Sequence, residues 1–402
     1  MKAVFMGLGY IGLPTAAVAA SKGIDVVGVD INPAVVDTIN QGKIHIVEPE
    51  LDKVVKEVVD KKKLRATLQP EEADVFLIVV PTPFKQNHRA DITYVRSATK
   101  AVIPFLKEGN LFIIESTSPV MTTEAMADLI FKERPELQGK IYIAYCPERV
   151  LPGNVIYELE NNDRVIGGVN KESSDKAAEF YVTFVKGALH KTNARTAEMC
   201  KLTENSSRDV QIAFANELSM ICKKAGINVW ELIALANKHP RVNILQPGCG
   251  VGGHCIAVDP WFIVSDYPEQ ANIIKRARET NDYKADWCAN EVLRACHEFE
   301  EKHERAPTVA CMGLAFKPDI DDLRESPAKY IASRIISEAR ADVFIVEPNI
   351  ETHKSFNLIH YDEAYRKADI VVWLVRHKEF IEMLKSQKEH EKMELDFCGV
   401  FK

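Results

Sequence analysis

The chain has 402 residues, of which 46% are hydrophobic and 27% are charged, and its formal net charge at pH 7 is −7. This length predicts two or three domains, and the composition is that of a globular protein without long disordered or coiled-coil regions. The short apolar runs and the acidic balance predict neither a membrane span nor a broad nucleic-acid surface. The absence of a membrane span and of a signal-like N-terminus predicts a cytoplasmic location. Nine cysteines without a Cys-x-x-Cys pair predict reduced thiols rather than a disulfide framework or a zinc ribbon, and no metal site is expected.

The first thirty residues predict a strand, a tight turn, a helix and a second strand. Lys2–Met6 is an apolar run, and residues 7–12 read Gly-Leu-Gly-Tyr-Ile-Gly. The alanine-rich segment Pro14–Ala20 follows, and a second apolar run, Ile24–Val29, ends at Asp30. This order is that of a β-α-β unit.

The glycine pattern of residues 7–12 is typical of a dinucleotide-binding turn when it lies between a strand and a helix. Gly7 permits the sharp turn, Gly9 lets the backbone approach a pyrophosphate, and Gly12 allows the helix to pack closely on the strand. Asp30 would accept hydrogen bonds from ribose hydroxyls and repel a 2′-phosphate. The pattern therefore predicts binding of NAD in preference to NADP.

Further strands alternate with helices, which predicts a parallel, doubly wound sheet with its ligand crevice at the carboxyl ends of the strands. Turns rich in small or polar residues, at 81–83, 116–118 and 146–149, follow three of these strands. In the last turn Glu148, beside Arg149, could orient a water molecule or take a proton. The predicted strands are Asp74–Val80, Leu111–Glu115, Ile141–Tyr145 and Arg164–Gly168, with helices such as Thr93–Lys107 and Glu172–Val185.

A long central helix is predicted from Ala194 to Ala225, where apolar residues recur at spacings of three and four. Lys201, Asn205 and Arg208 lie on one face of this helix. Such residues usually form a solvated stripe, but the apolar character of the rest of the helix favours a cleft. Two more helices are predicted, at Ile227–Lys238 and Ile273–Phe299.

Residues 246–260 form a glycine-rich loop that contains two cysteines. Four glycines within six residues would place backbone N–H groups beside a thiol, as stabilisation of an oxyanion requires. Cys255 is the candidate nucleophile because Asp259 follows it by four residues, while composition leaves Cys249 as an alternative. His254 could lower the pKa of a thiolate, although loop histidines are as often structural.

The last hundred residues predict a second α/β domain that begins much as the first does. Segment 312–318 follows a predicted strand, and Ser326 with Pro327 predicts the start of a helix. Lys317 and Arg324 could hold a nucleotide diphosphate at that helix start, or could form surface salt bridges. The strands predicted here are Thr308–Met312, Asp342–Val346 and Asp369–Leu374.

Taken together, these segments resemble the UDP-glucose/GDP-mannose dehydrogenase family over essentially the whole chain. The resemblance implies NAD-dependent oxidation of a nucleotide-sugar C6 alcohol to a carboxylate. It also implies two Rossmann-like, doubly wound α/β domains joined by a long central helix and a helical dimerisation segment, in a homodimer. The domains expected are an NAD-binding domain at 1–193, a central domain with the cysteine loop at 194–300 and a UDP-sugar-binding domain at 301–402. The segments that carry the resemblance are Gly7–Gly12, Pro81–Pro83, Ser116–Thr117, Pro147–Glu148, Ala197–Asn205, Gly252–Cys255 with Asp259, and Phe316–Lys317 with Arg324 and Ser326–Pro327.

The resemblance also assigns roles by position. It implies that Cys255 is the nucleophile and that Lys201 donates a proton and stabilises the oxyanion. Asn205 and Asp259 would hold the catalytic water, and Thr117 and Glu148 would flank the reacting C6. The cofactor would be bound by Gly7, Gly9, Tyr10, Ile11, Gly12, Asp30, Thr82, Thr117 and Arg324. The substrate would be bound by Glu148, Arg149, Val150, Lys201, Asn205, Arg208, His239, Arg241, Gly252, Phe316 and Lys317.

Within the family, segments 237–248 and 255–262 are most similar to the members that act on UDP-N-acetyl-D-mannosamine. This similarity implies a UDP-N-acetylhexosamine substrate, with UDP-N-acetylglucosamine and UDP-glucose as alternatives. The chain departs from its relatives at Cys249, where they usually have proline, and in Asp396-Phe-Cys-Gly399, where a basic or small polar residue is commoner before the glycine. The second departure weakens the implication of a substrate contact in that segment.

Two other classes of function remain compatible with a dinucleotide-binding turn. A two-electron dehydrogenase or an epimerase could act on a similar sugar, but a short-chain epimerase needs Tyr-x-x-x-Lys, and no tyrosine of the chain has a lysine four residues later. A non-catalytic NAD-binding protein would not need a cysteine in a glycine loop or the polar face of the central helix. Both features favour the dehydrogenase.

Overall fold

The computed structural model describes residues 1–46, 48–85, 88–150, 153–253, 255–386 and 392–402. The chain divides into two compact units, Met1–Glu204 (the first unit) and Asn205–Lys402 (the second unit). The division falls within the long helix Ala194–Ala225. Among the described residues, no helix combines the length and the apolarity that crossing a bilayer requires.

The described part of the first unit is an α/β structure built on one sheet. Its strands are β1 (Lys2–Met6), β2 (Asp25–Val29), β3 (Leu64–Thr67), β4 (Val75–Ile78), β5 (Leu111–Ile114), β6 (Tyr142–Tyr145), β7 (Arg164–Gly168) and β8 (Leu189–Asn193). Its helices are α1 (Gly12–Ser21), α2 (Pro33–Asn40), α3 (Leu51–Asp60), α4 (Thr93–Val102), α5 (Thr122–Glu133), α6 (Val155–Asn161), α7 (Lys171–Tyr181) and the beginning of α8 (Ala194–Ala225).

The sheet of the first unit has the strand order β3-β2-β1-β4-β5-β6-β7-β8. Its first six strands are parallel and follow the order of dinucleotide-binding folds. The pairing of β6 with β7 is antiparallel, with Tyr145 opposite Gly167, which differs from the uniformly parallel sheet predicted. In its described residues the connection holds the short helix α6, and the chain returns at the edge where β6 ends, so β7 runs in the opposite direction.

Both faces of this sheet are covered, which explains the continuous apolar runs of its strands. Phe5 and Leu77 pack with Leu13 of α1 in one hydrophobic cluster. Val4 points to the other face, where it packs in a cluster with Val95 of α4. The sheet is therefore doubly wound.

The described part of the second unit combines long helices with a smaller sheet. The helices are the rest of α8, α9 (Val229–Ala236), α10 (Asp259–Asp266), α11 (Asn272–His303), α12 (Pro327–Glu338), α13 (Tyr361–Lys367) and α14 (Lys378–Ser386). The strands β9 (Thr308–Met312), β10 (Asp342–Val346), β11 (Ile370–Trp373) and β12 (Met393–Asp396) pair in parallel in the order β10-β9-β11-β12. Val309 packs with Val292 of α11 on one face, and Met312 packs with Tyr365 of α13 on the other.

These two sheets and the helix α8 confirm the predicted fold class. The bounds of α8, β7, β9 and β10 are those predicted. The helix predicted over 93–107 ends as an α-helix at Val102, and a 3₁₀ turn with Pro104 follows because proline cannot continue the helical hydrogen bonds. The edge strands β3 and β12 were not predicted, because their short, partly exposed sequences carry few apolar residues.

Candidate active site

The glycine turn after β1 has the geometry of a dinucleotide-binding turn. Gly7 has a φ of +101° and its N–H donates a hydrogen bond of 2.8 Å to the carbonyl of Val29. A Cβ at Gly7 would lie 2.5 Å from the carbonyl oxygen of Val79, and one at Gly12 would lie 2.0 Å from that of Gly7. A Cβ at Gly9 would meet no protein atom within 4 Å. The fold itself requires Gly7 and Gly12, whereas Gly9 leaves the backbone before α1 open to a pyrophosphate.

Asp30 follows β2 and is joined to the same turn. Its Oδ2 accepts a hydrogen bond of 3.2 Å from Leu8 N, and its Oδ1 accepts one of 2.9 Å from Asn32 N. The carboxylate is half-buried, so it can also accept hydrogen bonds from a ribose. The residues of this turn thus fit NAD, and beside them Tyr10 is 52% exposed and Ile11 packs against the core.

The turns that follow β4 and β5 lie at the same edge of the sheet as the glycine turn, because β4 pairs in parallel with β1 and β5 pairs in parallel with β4. Thr82 is buried and Thr117 is half-buried. The hydroxyl of Ser116 donates a hydrogen bond of 2.7 Å to the carbonyl of Val80 and so joins the two turns. Both threonines are therefore on turns whose backbone is fixed.

Glu148 follows β6 and is 8% exposed. Its Oε1 accepts a hydrogen bond of 2.7 Å from the N–H of Arg149. Its Oε2 accepts one of 2.8 Å from Nη2 of Arg164, a buried residue at the start of β7. The sequence analysis missed Arg164, since its position beside Glu148 depends on the antiparallel direction of β7.

A second buried carboxylate lies near Arg164. Glu115 follows β5, is 3% exposed and accepts a hydrogen bond from the hydroxyl of Tyr181. Its Oε1 is 3.9 Å from Nη1 of Arg164. Burial raises the pKa of Glu115 to about 7, against the opposing effect of Arg164.

The side chains of Arg149 and Val150 point to protein groups of the first unit. Nη2 of Arg149 is 2.8 Å from Oε1 of Glu204, and its Nη1 donates a hydrogen bond of 3.2 Å to the carbonyl of Asp163. Val150 packs against the hydrophobic core. A substrate would therefore have to share the guanidinium of Arg149 with Glu204.

The part of helix α8 that belongs to the first unit is held in that unit by Glu198. This buried carboxylate accepts hydrogen bonds of 2.7 Å from the N–H groups of Met121 and Thr123, at the start of α5. Glu198 belongs to the motif identified in the sequence, and its role here is to fix the helix that bears Lys201. Lys201 is half-buried, and so is Asn205 one turn later, whereas Arg208 is exposed.

In the second unit, Cys255 lies one turn before the helix α10. Its thiol side chain is exposed, and its carbonyl accepts a hydrogen bond of 2.8 Å from the N–H of Asp259. Asp259 is 4% exposed, and its Oδ2 accepts a hydrogen bond of 2.6 Å from Nδ2 of Asn205. The second unit therefore brings together these three predicted residues, while His254 lies outside the described residues.

The other cysteine of the loop has a different environment. Cys249 is 6% exposed, and its thiol donates a hydrogen bond of 3.3 Å to the carbonyl of Leu374. A hydrogen bond with Cys288 and burial raise the pKa of Cys249 well above its usual value. Such a thiol is a poor nucleophile, so the structure favours Cys255 over Cys249.

Two glycines of the loop, Gly252 and Gly253, are needed for packing. A Cβ at Gly252 would lie 2.6 Å from the carbonyl oxygen of Glu325 and 2.7 Å from Cβ of Phe316. The N–H of Gly253 donates a hydrogen bond of 3.0 Å to the carbonyl of Arg324. The sequence analysis expected the loop N–H groups to face the thiol, and for Gly253 this expectation is wrong because its N–H is used within the fold.

A buried polar network, missed by the sequence analysis, fixes the start of this loop. Asp209 on α8 accepts hydrogen bonds of 2.7 Å from Arg278 and 2.8 Å from Asn281, both on α11. Asn281 accepts a hydrogen bond of 2.8 Å from Asn216, whose Oδ1 accepts one of 2.8 Å from the N–H of Gly248. Residues this distant in sequence give no local signal that they meet.

His239 and Arg241 are exposed residues of the segment between α9 and the glycine loop. Asn237 closes this segment, because it accepts a hydrogen bond of 2.7 Å from the N–H of Ile244 and donates one of 3.0 Å to its carbonyl. The N–H of Arg241 donates a hydrogen bond of 3.3 Å to Nδ1 of His239. Both side chains are thus presented to solvent from a closed loop.

The segment after β9 contains an exposed lysine and an arginine that forms an ion pair within the segment. Lys317 is exposed, and Arg324 forms an exposed ion pair with Asp322 at 2.6 Å, as in the salt-bridge alternative. Ser326 caps α12 by accepting a hydrogen bond of 3.3 Å from the N–H of Lys329, and Pro327 occupies the first turn. The predicted helix start is confirmed.

The group Asp319, His377 and Glu379 could by distance hold a metal ion, since its ligand atoms lie within 4.8 Å of one another. His377 is fully buried, and its Nδ1 accepts a hydrogen bond of 3.0 Å from the N–H of Asp319. Its Nε2 is 3.1 Å from Oε2 of Glu347. Both ring nitrogens are therefore engaged, and the arrangement favours a structural histidine.

Three family models match successive parts of the chain. The NAD binding domain of the UDP-glucose/GDP-mannose dehydrogenase family matches residues 1–185. The central domain of the same family matches residues 195–283, and its UDP binding domain matches residues 310–402.

Similar proteins extend over nearly the full chain. UDP-N-acetyl-D-mannosamine dehydrogenase of Campylobacter jejuni is 55% identical, covering 95% of this chain and 97% of its own length. NDP-N-acetyl-D-galactosaminuronic acid dehydrogenase of Ralstonia nicotianae is 54% identical, covering 93% and 90%. The solved structure of UDP-D-ManNAc dehydrogenase from Pyrococcus horikoshii matches with a TM-score of 0.88 and 39% identity, covering 100% of this chain and 96% of that one. The chain belongs to the UDP-glucose/GDP-mannose dehydrogenase family and is an NAD-dependent nucleotide-sugar dehydrogenase.

Proposed function

We propose that the chain oxidises C6 of UDP-N-acetyl-D-mannosamine to the carboxylate through a thioester on Cys255. The observation that carries this proposal is the arrangement of the second unit, in which exposed Cys255 lies one turn before buried Asp259, itself hydrogen-bonded to Asn205. A two-electron alcohol dehydrogenase needs no such nucleophile. The names of the relatives from Campylobacter jejuni and Pyrococcus horikoshii support the substrate.

The reaction has two oxidations and one hydrolysis. NAD supplies, when bound, the hydride acceptor for each oxidation. The thiolate of Cys255 adds to the C6 aldehyde to give a thiohemiacetal, whose oxidation leaves a thioester. Water then attacks the thioester carbonyl and the carbon–sulfur bond breaks. The uronate is released as the product, and Cys255 is left as the thiolate. Each sugar thus requires one water molecule and two molecules of NAD.

The other catalytic roles follow the same assignment. Lys201 donates a proton and stabilises the oxyanion, and Asn205 and Asp259 hold the water that hydrolyses the thioester. Glu148 and Thr117 flank the reacting C6, where Glu148 orients water or takes a proton. The hydrogen bond between Asn205 and Asp259 supports a shared water site, because each retains further hydrogen-bonding atoms.

The binding roles rest on the resemblance and on the positions described above. The cofactor is held by the turn at residues 7–12, by Asp30 and by the turns that bear Thr82 and Thr117. Arg324 was assigned to the cofactor, but its ion pair with Asp322 supports a surface role at least as well. The substrate residues are those carried over by position: Glu148, Arg149, Val150, Lys201, Asn205, Arg208, His239, Arg241, Gly252, Phe316 and Lys317.

We also propose the division into domains at 1–193, 194–300 and 301–402, which the three family-model ranges support. A homodimer through the central helix is supported by two large apolar side chains that α8 exposes, Phe214 at 53% and Ile221 at 54%. A cytoplasmic location is supported by nine cysteines that form no disulfide among the described residues.

The relative from Ralstonia nicotianae favours a second candidate substrate, because it is 54% identical and its name refers to an N-acetyl-D-galactosaminuronic acid. The identities to the two relatives, 55% and 54%, are nearly equal. Both candidates carry a 2-acetamido group, so they share the recognition that distinguishes them from UDP-glucose.

A panel of UDP-sugars tests the substrate. We expect kcat/KM to be highest for UDP-N-acetyl-D-mannosamine, lower for UDP-N-acetylgalactosamine and UDP-N-acetylglucosamine, and lowest for UDP-glucose. A site with a polar partner for the acetamido group loses roughly 1–3 kcal/mol when glucose leaves that partner unpaired. Fastest turnover of UDP-glucose would refute the substrate and leave the family unchanged.

A further inference from the structure

Arg164 lies in a buried cluster with two carboxylates and a tyrosine. Its Nη2 donates a hydrogen bond of 2.8 Å to Oε2 of Glu148, and its Nη1 is 3.9 Å from Oε1 of Glu115. Its guanidinium carbon lies 4.8 Å from the ring centroid of Tyr181, whose hydroxyl donates to Glu115. The guanidinium is therefore bound to Glu148 more closely than to Glu115.

The reversed direction of β7 places Arg164 at the edge of the sheet where the strands end. Tyr145, the last residue of β6, is opposite Gly167, so the start of β7 extends past the end of β6 toward Glu148. A parallel β7 would begin at the other edge of the sheet. The antiparallel pairing of β6 with β7 thus brings a cation to a carboxylate of the proposed active site.

The contacts of Arg164 are unusual for an arginine with a purely structural role. Among the described residues, its Nε and Nη1 are buried and have no hydrogen-bond partner. The same is true of Oε2 of Glu115. Buried donors without partners cost stability, and a buried ion pair is often no more stable than an apolar replacement. The cluster is therefore better explained by what the guanidinium does to Glu148.

Glu115 and Tyr181 complete the arrangement. The hydroxyl of Tyr181 donates to Oε1 of Glu115, and that oxygen is 3.9 Å from Arg164, compared with 2.8 Å between Arg164 and Glu148. Burial raises the pKa of Glu115 to about 7, so near neutral pH this carboxylate is partly protonated and competes less for the cation.

We propose that Arg164 is a positioning residue of the reaction, which holds the carboxylate of Glu148 in place and balances its charge for hydrolysis of the thioester. This role rests on the proposed function, in which Glu148 acts at the reacting C6. Of the two roles given to Glu148, orienting water belongs to the hydrolysis. We therefore expect Arg164, which acts through Glu148, to affect that step and to leave the two oxidations and the binding of the sugar nucleotide largely intact.

The test compares Arg164→Lys with Arg164→Gln. A lysine retains the charge but offers one compact donor group, whereas glutamine removes the charge. Arg164→Gln leaves Glu115 buried without a cation, so the same change is also made with Glu115→Gln, which removes that carboxylate. Tyr181→Phe is the control, since it disturbs the cluster without touching the contact of Arg164 with Glu148.

The readout is NADH formation in a rapid-mixing experiment with the preferred UDP-sugar of the panel. If hydrolysis is slowed, a burst of two NADH per active site precedes a slow steady state, and mass spectrometry of the quenched protein shows the uronyl group on the Cys255 peptide. We expect kcat to fall on the order of 10²-fold for the glutamine variants. The fall should be smaller for Arg164→Lys and slight for Tyr181→Phe, with KM for the sugar nucleotide within about a factor of three.

A burst that shrinks in proportion to kcat would overturn the proposal, because it would indicate loss of active protein. Equal losses in the lysine and glutamine variants, or in Tyr181→Phe, would overturn it as well, because the charge would not matter. A wild-type chain that releases one NADH per sugar would refute the thioester mechanism itself, and the role of Arg164 with it. That outcome is recognised before any variant is measured.

Discussion

The two units contain the same strand-turn-strand arrangement with different acidic residues. After β1, Gly7 has a φ of +101° and its N–H donates to Val29 at 2.8 Å. After β9, Gly313 has a φ of +100° and its N–H donates to Val346 at 2.9 Å. In each unit the second strand then ends at a carboxylate that accepts a hydrogen bond from the turn.

The two carboxylates differ in their burial and in the number of backbone N–H groups of the turn from which they accept hydrogen bonds. Asp30 accepts one turn N–H, from Leu8, and is half-buried. Glu347 is 4% exposed, and its Oε2 accepts the N–H groups of Leu314 and Ala315 at 2.8 and 2.9 Å. His377 contacts the same oxygen. The longer side chain of Glu347 thus binds two N–H groups of its turn, whereas Asp30 binds one N–H group of the turn in the first unit.

The distance from turn to helix differs as well. In the first unit α1 begins at Gly12, directly after the turn, so the N-terminus of the helix lies beside the proposed pyrophosphate site. In the second unit α12 begins only at Pro327, and the intervening segment carries Phe316 and Lys317. A glycine turn after a strand therefore does not by itself indicate a dinucleotide site, and the family model that matches this part of the second unit is that of a UDP binding domain.

The largest expected effect tests the assignment of the nucleophile to the second unit. Cys255→Ala should lower formation of the uronate on the order of 10³-fold or more, because no thioester can form. Cys249→Ala should retain most of the activity and cost about 1 kcal/mol of stability, as a small cavity in the core does. Assay of the acid product together with thermal unfolding distinguishes the two, and the opposite pattern would reassign the nucleophile.

The next effect concerns the acid of the first unit. Asp30→Ala should raise KM for NAD and narrow the preference for NAD over NADP by about tenfold, because the repulsion of the 2′-phosphate is lost. KM for the UDP-sugar should stay close to that of the wild type. Equal use of both cofactors by the wild-type chain would show that Asp30 does not have this role.

The smallest effect concerns the corresponding acid of the second unit. Glu347→Gln keeps the size of the side chain but removes one acceptor from buried amides, which should cost about 1–3 kcal/mol of stability. KM for the UDP-sugar should rise a few-fold, and KM for NAD should not change. A change in KM for NAD instead would contradict the separation of ligands between the two turns.

Features that depend on a few consecutive residues, such as turns and helix starts, could be predicted from local sequence patterns. Residues 7–12 and Asp30 could be assigned because the glycine turn and the strand-end acid lie within one β-α-β unit. Ser326 and Pro327 predicted the start of α12, because a helix N-cap followed by a first-turn proline is also a local pattern. Gly252 was identified through the loop pattern, but the structure adds a second reason for the glycine, namely its contact with Phe316.

The features that could not be predicted depend on contacts between distant segments. Arg164 reaches Glu148 only because β7 runs antiparallel to β6. Glu198 had no predicted role, and its contact with the start of α5 is visible only in the fold. The network around Asp209 joins helices about seventy residues apart in sequence, and side chains at such separations give no periodic signal.

The central claim is that one chain performs two oxidations through a thioester, and its most direct test is stoichiometry. A limiting, known amount of UDP-N-acetyl-D-mannosamine is converted to completion with excess NAD, and NADH and the sugar product are measured. The account predicts two NADH and one uronate per sugar for the wild type. A plateau of one NADH with accumulation of the aldehyde would contradict the thioester mechanism.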